Sequence, residues 1–220
     1  MDLWVATGPT TRHLIRTFVI WCKKMRVNRS ITLRHRQAKT VRVLTQDQRL
    51  EWIRELLSGD SESLPYRVAG TLLLLYAQPL VKVSAVPMSK VLVAPDGVSL
   101  ELGITPSPVP EPFAELLKSH IINRPNLRTA GADNPWLFPG YRPGEHLHPN
   151  TLMDRLRWLG IDLLGARNTA LRELVTQVPP PVVAEMLGYS DQVVHRHANL
   201  IAQPWGRYTR PADSPEGGLE

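Results

Sequence analysis

Apolar positions along the chain fall at helical spacing in most segments and alternate clearly in only one. In residues 10–26, Leu14, Ile15, Phe18, Val19, Trp21 and Cys22 line one face; intervals of three and four predict an amphipathic helix. Thr10 or Thr11 is placed to cap it and Asn28 to end it. Polar and basic residues dominate from Asn28 to Leu44, which predicts a linker. A second helix opens at Thr45, where Gln48 completes a capping-box pattern. Leu50, Ile53, Leu56 and Leu57 form its stripe, and Gly59 stops it. The segment RVAGTLLLLYAQ, within 64–78, is apolar on every face, as expected of a helix at the centre of a core. Pro79 interrupts that pattern, and 81–86 predicts another short turn of helix.

The alternating stretch comes next. Val91 to Val93, the turn Pro95-Asp96-Gly97 and Val98 to Leu102 predict a β-hairpin. ITPSPVPEP follows; with four prolines in nine residues it is expected to form no regular structure. Residues 111–122 read as a helix and 124–135 as an exposed loop. WLFPGYRPGEHL reads as an irregular segment pinned in the core by Trp136 and Phe138. Four helices are predicted after it, over 149–158, 166–176, 180–187 and 190–202, and the Pro-, Gly- and acid-rich tail from Arg210 is expected to be disordered. The fold class is mainly α (α+β), with one small antiparallel β-sheet.

Composition adds little to this picture, and charge adds more. The longest apolar run, Ala69 to Ala77, is too short for a bilayer, which takes about 20 residues. Arg12, Arg16 and Lys23 break up the first apolar stretch, which argues against a signal peptide, and the single Cys22 excludes an internal disulfide. A cytoplasmic location is expected. Between Leu3 and Gln46 there is no acidic residue but ten cations: Arg12, Arg16, Lys23, Lys24, Arg26, Arg29, Arg34, Arg36, Lys39 and Arg42. Residues 1–60 hold twelve basic and five acidic side chains, whereas the other 160 hold fourteen and fifteen. The positive excess is therefore local. Each cation that neutralises a phosphate releases condensed counterions, so a localised excess points to a polyanionic partner. A solvated basic linker and a membrane-surface helix are the competing explanations.

The order of the segments carries a resemblance. RVAGTLLLLYAQPLVKVSAV, the hairpin ending at VSLELG, WLFPG, HPNTLMDRLRWLGI, GARNTALRELV and VVAEMLGYSD occur in the sequence of a tyrosine recombinase (phage integrase) catalytic domain. The chain resembles that family over about 45–208, and within it the divergent integrase-like proteins of high-GC bacteria, in which YAQPL replaces Thr-Gly-Leu-Arg. The resemblance implies a catalytic-like domain at 45–208, preceded at 1–44 by the remnant of a helical core-binding domain and a basic linker, with a disordered tail at 209–220. It implies double-stranded DNA as partner, with a homo-oligomer on DNA as one arrangement, and no cofactor, metal, membrane or small-molecule substrate. A nucleoid-associated place in a bacterial cytoplasm follows.

Family chemistry uses a tyrosine nucleophile, two arginines, two His or Trp positions and a hairpin lysine. The first arginine aligns with Pro79, with Lys82 the nearest cation. The hairpin lysine has no counterpart between Val91 and Ile104, and Lys90 lies just before the first strand. The His-x-x-Arg-His motif aligns with Leu164-Gly-Ala-Arg167-Asn168, so Arg167 alone is retained. Tyr189 stands at the Leu-Gly-His position, and the nucleophile falls near Ala198. The resemblance therefore implies a degenerate active site, with Arg167, Lys82 and the alternative nucleophile Tyr208 as candidate catalytic residues; His195 and His197 lie near the nucleophile position.

Residues 180–198 also fit a helix-turn-helix, with Ala184 and Gly188 as its small residue and turn, and Val183, Leu187 and Val194 as apolar positions. Gln192, His195, Arg196 and Asn199 would then face a groove. His197 is polar where an apolar residue is usual. His146 and His148 share a loop without the further ligands of a metal site, and Trp21, Trp52, Trp136, Trp158 and Trp205 read as core anchors. Four functions remain: a DNA-binding protein with little or no cleavage, a recombinase acting through Tyr208, a helix-turn-helix regulator, or a fragment without independent function. The last rests on the unpartnered apolar face of residues 14–22.

Overall fold

The computed structural model describes residues 12–27, 43–60, 62–95, 97–124 and 134–206, side chains included except at 12–17 and 203–206. Arg29, Arg34, Arg36, Lys39, Arg42, the linker, Tyr208 and the tail lie outside the described residues, as do the side chains of Arg12, Arg16 and Trp205. Two compact units divide the chain at Thr40/Val41. In the first, helix α1 spans Arg12–Lys24, with Lys23 and Lys24 in its last turn, where cations offset the negative end of the helix dipole. Phe18 and Trp21 stack on it with ring centroids 6.0 Å apart. Trp21 is 50% exposed, which corrects its reading as a core anchor.

The second unit is built around α3 (Leu64–Tyr76), with Val68, Ala69, Leu72, Leu73 and Leu74 all buried. Helix α2 (Gln46–Ser58) begins with the expected capping box, Thr45 and Gln48 bonding to each other's backbone N–H. It lies so close to α3 that a Cβ at Gly70 would stand 2.6 Å from Leu56. Helix α4 (Leu80–Ser84) follows a break at Ala77, which takes a left-handed conformation (φ 56°). Helices α5 (Phe113–Ile122), α6 (Pro149–Trp158) and α7 (Leu163–Gln177) also pack against α3. Helices α8 (Pro180–Leu187) and α9 (Asp191–Gly206) close the unit. Helix α7 begins three residues earlier than its periodicity predicts, because the Asp162 side chain accepts from the N–H groups of Leu164 and Gly165.

The hairpin forms from β1 (Val91–Ala94) and β2 (Gly97–Leu100), paired from Val91↔Leu100 to Ala94↔Gly97. A third strand, β3 (Ser107–Val109), pairs antiparallel with β2, giving the order β1-β2-β3. This corrects the expectation that the proline-rich segment is irregular. Pro108 has no N–H to donate, but β3 is an edge strand, where a missing donor disrupts no second ladder. The flanking Ser107 and Val109 point inward and are buried.

The WLFPG segment is anchored by Leu137 and Phe138, both fully buried. Trp136 is only half-buried, and its indole N–H donates to the Gly144 carbonyl at 2.8 Å. Trp52 does pack against the core. Trp158 is 77% exposed and lies beneath the Arg155 guanidinium, 4.9 Å from its ring centroid, so it too is no core anchor.

Candidate functional site

A helix ends with its last four carbonyls unbonded, and each needs an acceptor's partner from elsewhere. At the end of α8 all of them are met. The Ala184 carbonyl accepts from the N–H groups of Gly188 and Tyr189, with Gly188 in the left-handed conformation (φ 64°) that favours glycine. Glu185 O accepts from Ile104 N at 2.8 Å, and Met186 O from the Ser107 hydroxyl at 3.1 Å. Leu187 O accepts from Gln78 Nε2 at 2.9 Å. The next carbonyl, that of Gly188, accepts from Lys82 Nζ at 2.8 Å. The turn before α9 is thus gripped by the β2–β3 connection on one side and by the α3–α4 corner on the other.

Tyr189 is fixed by the same grip, its hydroxyl donating to the Ala77 carbonyl. Its ring has a cation near it from each of two elements: Lys82 Nζ lies 5.7 Å from the centroid and Arg167 Cζ lies 5.9 Å from it. Burial raises the Tyr189 pKa, and the adjacent Arg167 only partly opposes that rise, so the phenol stays protonated and neutral. The two cations are drawn to the electron-rich ring.

Helix α9 packs on α7 beside this turn. Val194 and His197, one turn apart, are its buried residues, while Gln192, His195, Arg196 and Asn199 are exposed. His195 Nδ1 bonds to the Asp191 carbonyl at 2.9 Å. Burial lowers the His197 pKa, and the charges of Arg172, Arg196 and Arg167 lower it further. The predicted residues Arg167 and Lys82 therefore meet at Tyr189, and Gln192, His195 and Arg196 share the exposed face of α9. In the first unit Lys23, Lys24 and Arg26 are exposed.

Sequence reasoning does not single out Arg172, and it places His197 only near the nucleophile position and as a polar residue at an apolar position of a helix-turn-helix. The available signal was His197 three residues after an apolar Val194, on the phase of α9 that must face another element. A separate, largely apolar cavity of about 530 Å³ is lined by Leu50, Leu75, Tyr76, Val109, Leu174 and Met186, with Arg49 and Glu173 at its polar end. It includes none of Arg167, Lys82 or Tyr189.

Among solved structures, the chain is similar to the XerH site-specific recombinase in its post-cleavage complex with palindromic difH substrate. The TM-score is 0.56 at 17% identity, covering 81% of this chain and 57% of XerH. The XerA recombinase gives a TM-score of 0.54 at 13% identity, over 94% of this chain and 79% of XerA. A lambda integrase(75-356) dimer bound to a COC' core site gives 0.51 at 16% identity, over 94% and 76%. The chain has the tyrosine recombinase fold. It spans little more than half of XerH, 57%. No family model and no curated protein matches the chain.

The family resemblance assigns site positions to Pro79, Leu164, Asn168 and Ala198. Pro79 precedes α4 as its N-cap and carries no donor. Leu164 is 57% exposed and apolar, Asn168 is buried, and Ala198 on α9 has no functional group. The arrangement offers fixed positive charge around a neutral phenol.

Proposed function

We propose that this chain is a duplex-DNA-binding protein of tyrosine recombinase lineage that cleaves DNA strands little or not at all. The observation carrying this reading is the pairing of Arg167 and Lys82 around Tyr189, in a recombinase fold whose expected nucleophile position holds Ala198. Loss of one charge-stabilising donor costs about 2.7–4 kcal/mol of barrier, and here Pro79, Leu164 and Asn168 each stand where such a group would act. Lys82 and Arg167 are then backbone-phosphate contacts. The cations of residues 12–42 add affinity that does not depend on sequence, and the protein works at the nucleoid of a bacterial cytoplasm. The XerH and lambda integrase neighbours were captured on DNA, the latter as a dimer, which supports assembly on the duplex as the working form. A basic remnant at 1–44, a catalytic-like domain at 45–208 and a tail at 209–220 complete the proposal.

The test is retardation of duplex DNA at graded salt. If seven to ten phosphates are neutralised, log affinity falls against log salt with a slope of about −6 to −9. Failure to retard any duplex at low salt refutes DNA binding. A covalent protein–DNA adduct on a nicked suicide substrate refutes the loss of cleavage, and its disappearance in Tyr208→Phe assigns that activity to Tyr208. The helix-turn-helix reading is favoured by one observation: Gly188 separates two helices whose Val183, Ala184, Leu187 and Val194 are buried while Gln192, His195 and Arg196 are exposed. If it holds, Arg196→Ala changes which sequence is preferred, whereas a backbone contact weakens all sequences alike.

A further inference from the structure

Small-molecule sites are concave, mostly apolar spaces of roughly 300–1,000 Å³ with a few polar groups fixed in the wall. The cavity of about 530 Å³ beside α8 has that form, walled by α2, α3, β3, α7 and α8. Arg49 on α2 and Glu173 on α7 both line it, and these helices pack against each other. Arg49 is only 6% exposed. Its guanidinium is held by Nε donating to the Leu74 carbonyl at 2.8 Å and by Nη1 donating to Gln46 Oε1 at 3.3 Å. Glu173 Oε1 accepts from Gln177 Nε2 at 2.7 Å. A glutamine about one turn away thus steadies each charged group, and both glutamines line the cavity as well. Arg49 and Glu173 do not form an ion pair with each other. Nη2 of the first and Oε2 of the second have no hydrogen-bond partner among the described residues.

We propose that this cavity binds a neutral apolar molecule carrying one carboxamide, whose carbonyl accepts from Arg49 and whose N–H donates to Glu173. Charge decides the head group. One fixed positive and one fixed negative charge sum to zero, so an ionised ligand would bring an unbalanced charge into a half-buried place. A carboxamide is uncharged and offers an acceptor and donors on adjacent atoms, the two roles that Arg49 and Glu173 leave open. Leu50, Leu75, Leu174 and Met186 supply apolar wall for the body of the ligand. Peptide occupants suit the cavity less well. A strand laid beside β3 would meet Pro108 and Pro110, which have no N–H to give, and the Pro108 carbonyl already accepts from the Tyr76 hydroxyl at 2.6 Å. A helix drawn from residues 207–220 would have to accommodate Pro211, Pro215, Gly217 and Gly218, which oppose helix formation. None of the positions assigned by the family resemblance lines the cavity.

The experiment uses the full chain without DNA, so its outcome is separate from that of the duplex-binding test. The probes are benzamides with para-alkyl chains from ethyl to hexyl, each beside its matching benzoate and benzylamine. Binding is followed by calorimetry and by saturation-transfer NMR of the probe. The expected result is saturation at one benzamide per chain, favoured over the anionic and cationic partners by about tenfold or more. Glu173→Gln removes the negative charge and leaves Arg49 alone, so the order reverses and the benzoate becomes the tighter ligand. Leu50→Trp fills the cavity from its partly exposed wall and abolishes binding, while Lys90→Met, outside the site, leaves it unchanged. If Leu50→Trp does not fold, as judged by circular dichroism, the reversal in Glu173→Gln still decides. No saturable binding of any benzamide, binding that Leu50→Trp leaves intact, or a native preference for a charged head overturns the proposal. A dimer on a sizing column that Leu50→Trp dissociates also overturns it, because a second copy of the chain is then the occupant.

Discussion

Replacing Gly103 with alanine probes the grip on the α8–α9 turn most directly. A Cβ built at Gly103 lies 1.9 Å from Glu185 O, 2.6 Å from Gly188 N and 2.9 Å from the Met186 carbonyl carbon. All three are backbone atoms, so no side chain can swing away, and the β2–β3 connection must retreat from α8 by more than 1 Å to reach ordinary van der Waals separation. Retreat breaks the bond from Ile104 N to Glu185 O, 2.8 Å in the native chain, and strains that from Ser107 to Met186 O. Overpacking costs about 1–3 kcal/mol and a lost hydrogen bond about 1 kcal/mol, which gives roughly 2–4 kcal/mol in all. In a domain of this size that lowers the melting temperature by roughly 4–15 °C. Urea unfolding followed by circular dichroism measures it, with the slope unchanged. Gly144→Ala is the comparison: Gly144 has a left-handed φ of 75° but no atom within 4 Å of a Cβ, so it pays only the conformational cost of about 1–2 kcal/mol. A Gly103→Ala loss no larger than the Gly144→Ala loss would refute the close-contact argument.

Other consequences are as open to measurement. His120 is buried, bonded through Nε2 to the Leu137 carbonyl at 3.0 Å and stacked on Phe138. Burial, helped by the charge of Arg124, lowers its pKa to about 4 despite that hydrogen bond. Because the folded value lies below the unfolded 6.5, this contribution is complete above pH 6.5 and is lost as pH falls toward 4, by about 3 kcal/mol. His120→Gln should flatten that limb of the stability–pH curve, and an unchanged limb would assign it to other groups. Thr45→Ala removes the capping box of α2 and should cost about 1 kcal/mol by urea denaturation; no loss would mean that the cap is replaced by solvent. Leu72→Ala, at a fully buried position of α3, should cost about 2–5 kcal/mol, and a value under 1 kcal/mol would contradict the packing described.

What the sequence disclosed depended on how local the cause was. The capping box at Thr45 is complete within four residues and was legible, as was the glycine turn at Gly188. The strand at Ser107–Val109 was not, because proline content excludes a central strand but not an edge strand, and only the partner β2 reveals which it is. Trp158 was misread for the opposite reason: a tryptophan ordinarily seeks burial, but here Arg155 covers it at the surface. Of the site, Arg167, Lys82 and Tyr189 were named from resemblance, whereas Arg172 drew no notice. Its significance depends on α9 packing on α7 with His197 turned inward, and nothing in the spacing of GARNTALRELV encodes that neighbour.

The grip on the turn has one property that bears on how such a chain can diverge. The bonds from Gln78, Lys82, Ser107 and Tyr189 all end on main-chain carbonyls. Every residue possesses such an oxygen, so the receiving half of each bond survives substitution at Met186, Leu187 or Ala77, and only the donor must be kept. A lineage can thus rewrite one side of this junction without a matching change on the other. Substitution of the receiving residues is then compatible with a turn that stays where the donors hold it.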